Sequence, residues 1–246
     1  MHYFLKKIRT MLSGAGGAIT ASKRSLLLTT SLIIGVCFAG AILCLQYHDK
    51  SNVLRHLDCF PAIVMLLNVL FILQHVHFYY KLPPTIQVVK EAFGVTYDPL
   101  MGRFNALLLL CESVVFLDYA HWHFSPSFLR QSGLQYAGIG VYLLAFGMVV
   151  WADRHLARHF AAFARNGVIT VGPYHYVRHP RYAGLFLSRV GFALAFGSLI
   201  EWGIIIGWFW VVRRRIRIEE RHLYQQFGEE YARYMRKTAR LLPGVF

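Results

Sequence analysis

Two short stretches of this chain gather residue types that can do chemistry. One is VGPYHYVRHPRYAG, residues 171–184, and the other is RIRIEERHLYQQFGEEYARY, residues 215–234. In the first, His179 precedes Pro180, and proline suits the first helical turn because that position has no intrahelical amide bond to lose. The stretch predicts a helix starting at Pro180, with the amides of Arg181, Tyr182 and Ala183 pointing outward. Flanked by Arg178 and Arg181, such an N-terminus is a ready anion site. Gly184 leaves room for a ligand or for another backbone to come close. In the second stretch, Glu219 and Glu220 project about 100° apart on a helix, so one of them is expected to face inward at a given site. Tyr224, Phe227, Tyr231 and Tyr234 recur at three- and four-residue spacing, as one face of a continuing helix would. Taken singly, each feature has a plainer meaning: snorkelling charge and a cap, a solvated face, a packed stripe. Their order along the chain favours a joint site.

The elements that must position these residues are apolar. Of 246 residues 56% are hydrophobic, too many for an ordinary soluble domain. Apolar runs at 25–45, 59–80, 104–120, 133–152, 182–200 and 201–212 approach the roughly 20 residues a spanning helix needs. The last two are joined by almost nothing and predict a tight helical hairpin. The sixth run is short and is expected to continue as helix beyond the bilayer. The expected fold is all-α: a polytopic membrane protein of about six transmembrane helices with a cytoplasmic C-terminal helix.

The formal charge of +14 invites a nucleic-acid partner, but its distribution argues against one. With the N-terminus in the cytoplasm, all lysines and arginines but Lys50, Arg55, Arg130 and Arg189 fall in the cytoplasmic pieces 1–24, 81–103, 153–181 and 213–246. That is a positive-inside pattern with both termini cytoplasmic, in a bacterial inner membrane or the endoplasmic reticulum, with some attraction to anionic lipid. The first run lacks the shape of a signal peptide. Cys37, Cys44, Cys59 and Cys111 sit in or at the apolar runs with no CxxC, so neither a disulfide framework nor a zinc site is expected. A metal site from His75, His77, His121 and His123 is disfavoured, because the pairs fall at opposite ends of their spans.

The chain divides into a cytoplasmic arm (1–24), a four-helix scaffold (25–152) and a region rich in polar chemistry (153–246). Residues 153–165 read as a basic amphipathic helix, with Leu156, Phe160 and Phe163 toward the membrane and Arg154, Arg158 and Arg165 outward. Arg189, inside an apolar run, needs an ion partner, a wet cavity or a route to the surface. Glu112 is a candidate partner for it or a contact for a substrate. Asp118 falls in an aromatic and histidine belt at the far interface.

The ordered set of GPYHYVRHPRYAG, hairpin, EERHLYQQFGEEYARY and terminal RLLP resembles the isoprenylcysteine carboxyl methyltransferase family and the related phospholipid and thiol methyltransferases of membranes. The resemblance covers about the last 80 residues. It implies an S-adenosylmethionine site at the cytoplasmic end of the last two spans, closed by the C-terminal helix. Carried over residue by residue, Arg178, His179, Pro180, Tyr182 and Gly184 match the first motif, Glu219 and Glu220 its glutamate pair, and Tyr231 and Tyr234 its tail tyrosines. Arg178 and Glu220 are then the catalytic candidates. The cofactor would be held by His179, Pro180, Tyr182, Gly184, Glu219, Glu220, Tyr231 and Tyr234. Arg189, Glu112 and Lys237 are candidates for the acceptor, although RKTA at 236–239 departs from the RRVP often found there.

The cofactor's carboxylate suits a helix N-terminus with arginines, and its hydroxyls and amino group suit glutamate. Methyl transfer from a sulfonium is an in-line displacement, so alignment and exclusion of water are the main requirements. A carboxylate or thiolate acceptor needs no base, whereas an amine would need one, with His179 or a glutamate as candidates. The acceptor would be lipophilic or small: a prenylated cysteine carboxylate, a thiol or a lipid. Two rivals stand beside this reading. One is a reductase using NADPH, since sterol reductases share the C-terminal layout, although RHPRY, IEERHL and FGEEY differ from their patterns. The other is a non-catalytic membrane scaffold.

Overall fold

The computed structural model describes residues 66–71, 73, 74, 77, 111, 114–160 and 167–243. The N-terminal arm, the first apolar run, most of the second and third, and Glu112 lie outside the described residues. Those described are helical, with one isolated parallel bridge between Val177 and Ala239. The main helices are α1 (Ser132–Phe160), α2 (Pro173–Tyr176), α3 (Pro180–Phe196), α4 (Leu199–Phe227) and α5 (Glu229–Lys237). Among the described residues, one helical stretch, Ser132–Leu156, is long and apolar enough to cross a membrane by length and composition.

The stretch from Asp153 is helical as expected as far as Phe160, where the described residues pause, and it continues α1 without a break. Nothing between Ala152 and Asp153 stops a helix, and both residues are buried. The expected hairpin is present. Gly197 takes a left-handed φ of 55°, which glycine adopts without strain, and closes α3 through its amide to Ala193 and Leu194. Ser198 then caps α4, its hydroxyl accepting from the Glu201 amide at 3.3 Å. As expected, α4 runs on well past its apolar half.

Helices α1 and α3 pack antiparallel along a seam of small residues. A methyl group on Gly191 would stand 2.7 Å from the Tyr142 amide and 2.8 Å from the Gly138 carbonyl. One on Gly138 would strike the backbone of Ala195, and one on Gly184 would lie 2.6 Å from Val149 Cγ2. Backbones this close require glycine, and small residues in such seams are how helices associate without water to drive them. Around the seam, Phe71, Phe116, Phe192 and Phe196 form one aromatic core with Tyr142 and Val149. Trp208, Val212, Ile216, Ala183 and Leu241 form a second, toward the mouth of α3. Leu143, Leu144, Ile206 and Trp210 are exposed on the outer faces of α1 and α4.

The turn ahead of α1 is stapled by Asp118, which opens a five-residue π-helical turn. Its carboxylate accepts from the Phe124 amide and the Ser125 hydroxyl, both at 2.6 Å, and pairs with Arg130 at 3.6 Å. Ser125 Oγ accepts in turn from the Leu199 amide at 3.0 Å, tying this turn to the start of α4. These bonds give Asp118 a structural role.

The seam makes a test. Gly191→Leu is expected to cost more than the roughly 1–3 kcal/mol of ordinary overpacking, because backbone rather than side chain must yield. Gly140→Leu, on the same helix pair with nothing within 4 Å of its would-be methyl group, is expected to be near neutral. Thermal unfolding of detergent-purified protein checks both; equal midpoints would remove the seam from this account.

Candidate active site

Four pieces of chain converge at the mouth of α3: the residues before Pro180, the polar extension of α4, helix α5, and the strap 238–241. Pro180 occupies the first turn of α3, as expected, and is buried. The segment before it is held by the strap. Arg178 N donates to the Ala239 carbonyl at 2.8 Å, and His179 N donates to the Arg240 carbonyl at 3.0 Å.

Glu220 is the hub. It sits in α4 with its side chain 6% exposed. Oε1 accepts from Arg178 Nε at 2.9 Å and lies 2.8 Å from Arg178 Nη2. Oε2 accepts from Arg240 Nε at 2.9 Å and lies 2.9 Å from Arg240 Nη2. Arg178 Nη1 donates to the carbonyls of Met235, at 3.0 Å, and Thr238, so the same guanidinium caps the end of α5. Burial alone would raise the Glu220 carboxyl; the His179 ring and the Arg178 guanidinium outweigh it and hold the pKa at about 2.

Glu219 faces the same region, so the expectation that one glutamate of the pair points inward is corrected: both do. Its Oε1 accepts from Tyr182 Oη at 2.8 Å and Arg215 Nε at 3.0 Å. The reason is His179, which lies between them, Nδ1 3.8 Å from Glu219 and Nε2 3.5 Å from Glu220. A ring wedged between two positions 100° apart can be reached by both.

The tail tyrosines are placed by a break the periodicity did not reveal. Gly228, at φ 53°, ends α4 and starts α5, so the aromatic stripe does not lie on one continuous helix. Tyr224 stays exposed, while Tyr231 and Tyr234 turn inward. Tyr234 Oη donates to the Tyr174 carbonyl at 2.6 Å. The Tyr231 hydroxyl is buried with no hydrogen-bond partner among the described residues. Burial pushes the phenols of Tyr174, Tyr231 and Tyr234 upward, so they remain protonated donors at neutral pH. Helix α5 is tied at its start by Glu230, which accepts from the Val168 amide at 2.9 Å.

Of the sequence-based candidates, Arg178, His179, Pro180, Tyr182, Glu219, Glu220, Tyr231 and Tyr234 are brought together here. Gly184 lies in the α1–α3 seam, where it serves the close approach of another helix. The anion site expected from Arg178 and Arg181 is changed in character: Arg178 serves Glu220, and Arg181 Nε donates to buried Asp153 at 2.9 Å. Arg189 is not at the mouth. It pairs with fully buried Glu201 at 2.5 Å, across the hairpin, and its guanidinium lies over the Phe192 ring. Lys237 ends α5 and is exposed. Arg240, Arg215 and Asp153 were missed, since no periodicity marks them. Glu201 was legible in principle, because a tight turn at Gly197 folds it back toward Arg189.

Residues 134–230 match the phospholipid methyltransferase family. The chain is similar to a Schizosaccharomyces pombe protein named protein-S-isoprenylcysteine O-methyltransferase, 31% identical over 130 residues, covering 48% of this chain and 54% of that one. A Dictyostelium discoideum protein of the same name is 29% identical over 169 residues, covering 63% of this chain and 66% of its own. The chain thus spans about half the length of the first relative and two thirds of the second. These matches show the methyltransferase resemblance that the motifs carry.

Two tests follow. Glu220→Gln strands a buried arginine and is expected to cost about 3–5 kcal/mol. Since the folded pKa of Glu220 lies below its ordinary value of 4.5, the clasp contributes fully above about pH 4.5 and is lost as pH falls toward 2. Wild-type stability should therefore decline over that window more steeply than that of the Gln variant; parallel acid profiles would contradict the clasp. Arg189→Leu should destabilise by a similar amount, and the Arg189→Leu, Glu201→Leu double variant should recover most of it, as a double-mutant cycle in unfolding measurements would read.

Proposed function

With residues 134–230 matching a methyltransferase family, we propose that this protein is a membrane-embedded methyltransferase. It uses S-adenosylmethionine to methylate a lipophilic or small acceptor at the cytoplasmic face. The observation that carries the reading is the fate of the arginines. Arg178 and Arg240 are turned on Glu220, Arg215 on Glu219 and Arg181 on Asp153. A nicotinamide cofactor with its phosphates asks for uncommitted cations. S-adenosylmethionine, with a sulfonium, an ammonium and a single carboxylate, asks for less cationic charge, and the mouth offers it Glu219 Oε2 and the neutral Tyr231 hydroxyl.

The residues present fit that cofactor. Tyr231 Oη is buried without a partner among the described residues, and such a group calls for one. Glu219, 20% exposed, retains the second oxygen that ribose hydroxyls or an amino group need. When bound, S-adenosylmethionine supplies a methyl group on a positive sulfur, open to in-line displacement. The chain's own part is to bind, orient and exclude water. Glu219, His179, Tyr182 and Tyr231 are the groups proposed to contact the cofactor. Arg178 acts as a positioning residue, since its donors are spent on Glu220 and on the Met235 and Thr238 carbonyls, and Glu220 holds it through Oε1. Helix α5 and residues 238–241 cover the mouth.

Both relatives are named for transfer to an isoprenylcysteine oxygen. For this chain the proposed acceptor is likewise a prenylcysteine-type carboxylate, with a small thiol or a lipid as the other candidates. A carboxylate is already an anion at neutral pH, so His179 need not act as a base.

Calorimetric titration of purified protein with S-adenosylhomocysteine, with NADPH in parallel, tests the reading. Binding of the first alone is the expected result, and Glu219→Gln should weaken it about 10- to 100-fold through loss of charge-assisted bonds. NADPH binding alone would establish the reductase instead. Absence of both in demonstrably folded protein would favour the scaffold.

A further inference from the structure

Glu220 carries two arginines where charge balance asks for one, and the two are held differently. Arg178 on Oε1 has its side chain 8% exposed and its remaining donors fixed on the Met235 and Thr238 carbonyls. Arg240 on Oε2 has its side chain 31% exposed. Its backbone is anchored independently of that side chain, because its carbonyl accepts from the His179 amide and that of Ala239 from the Arg178 amide. Moving the Arg240 guanidinium off Oε2 would therefore leave the strap backbone in place. Oε1 has no such freedom.

We propose that Arg240 is a displaceable counter-ion for Glu220. It holds Oε2 in the ligand-free site and yields it to the ammonium group at the amino-acid end of the methyl donor. The inference rests on the methyltransferase reading and assigns a positioning residue within it. A buried carboxylate stripped of one cation would be costly, so an exchange of cation for cation is the cheap route for a ligand to reach it. An ammonium is compact and carries three donors, which suits it to a position that a larger guanidinium vacates. A partly solvated ion pair is weak, so Arg240 is expected to reduce the affinity of an amine-bearing ligand by about two- to fivefold, no more.

The experiment is calorimetric titration of the full chain in detergent, wild type against Arg240→Gln and Arg240→Lys, with two probes. S-Adenosylhomocysteine carries the amino-acid end; 5′-methylthioadenosine has the same adenosine and thioether without it. Arg240→Gln should bind the first about two- to fivefold more tightly and the second unchanged, and Arg240→Lys should behave as wild type. A strap-supporting role would instead weaken both probes together. Unchanged or weaker S-adenosylhomocysteine binding in Arg240→Gln, or a parallel shift of both probes, overturns the inference while leaving the methyltransferase reading intact. Binding of neither probe by folded wild type overturns both. Should the Gln variant fail to purify folded, Arg240→Met removes the same charge and is read in the same way.

Discussion

Glu220 is buried, and a carboxylate taken out of water must be met by cations and donors or give up its charge. Here it is met by Arg178 and Arg240. Those bonds join the extension of α4 to the mouth of α3 and to the strap after α5. Because Arg178 also caps the end of α5, the same contact decides where Tyr231 and Tyr234 lie. His179, next in sequence to Arg178, is carried into the space between the two glutamates. Swapping such a cluster for apolar side chains often leaves stability unchanged. What it supplies here is register: three elements meet in one way, because any other leaves charge stranded.

Helix lengths bring the pieces to one level. From Leu199 to Glu219 α4 rises about 30 Å, and α1 rises about 32 Å from Ser132 to Asp153. The α1 distance matches a hydrocarbon core of about 30 Å, while α4 reaches the same level only by running on through its arginine-rich part. Helix α3, about 26 Å long, returns from the Gly197 turn to Pro180. The glycine seam fixes α3 against α1, so Arg181 arrives opposite Asp153 and Tyr182 opposite Glu219. The Gly197 turn and the seam lie far from the mouth, yet they set the height at which its charges meet.

That division explains what could be read from the residues alone. The start of α3 at Pro180, the hairpin at Gly197 and Ser198, and the run-on of α4 are local matters of turn chemistry and periodicity. So is the gathering of two motifs at one end of a hairpin, once the hairpin is known. Gly228 was hidden because the spacing of Tyr224, Phe227, Tyr231 and Tyr234 carries across it, and one glycine does not by itself stop a helix. The partners of Arg178, Arg181 and Arg189 were hidden for another reason. Each is a long-range pairing, and a charge says only that it needs a partner. Arg189 shows the difference: the choice between Glu112 and Glu201 depends on which helix packs at its level.

The charge arrangement also bears on which acceptor the proposed chemistry suits. A methyl donor loses its positive charge on transfer, and a carboxylate acceptor loses its negative one. Two opposite charges vanish, and a site of low dielectric favours a step that removes charge where water would have stabilised the separated ions. An amine acceptor gains the charge that the sulfur loses, so that advantage is absent and a base is needed afterwards. Glu219 would face a sulfonium-bearing donor before transfer and a neutral thioether after it, whereas the ammonium proposed for Glu220 is present in both. An apolar setting thus favours an anionic acceptor on a lipophilic carrier.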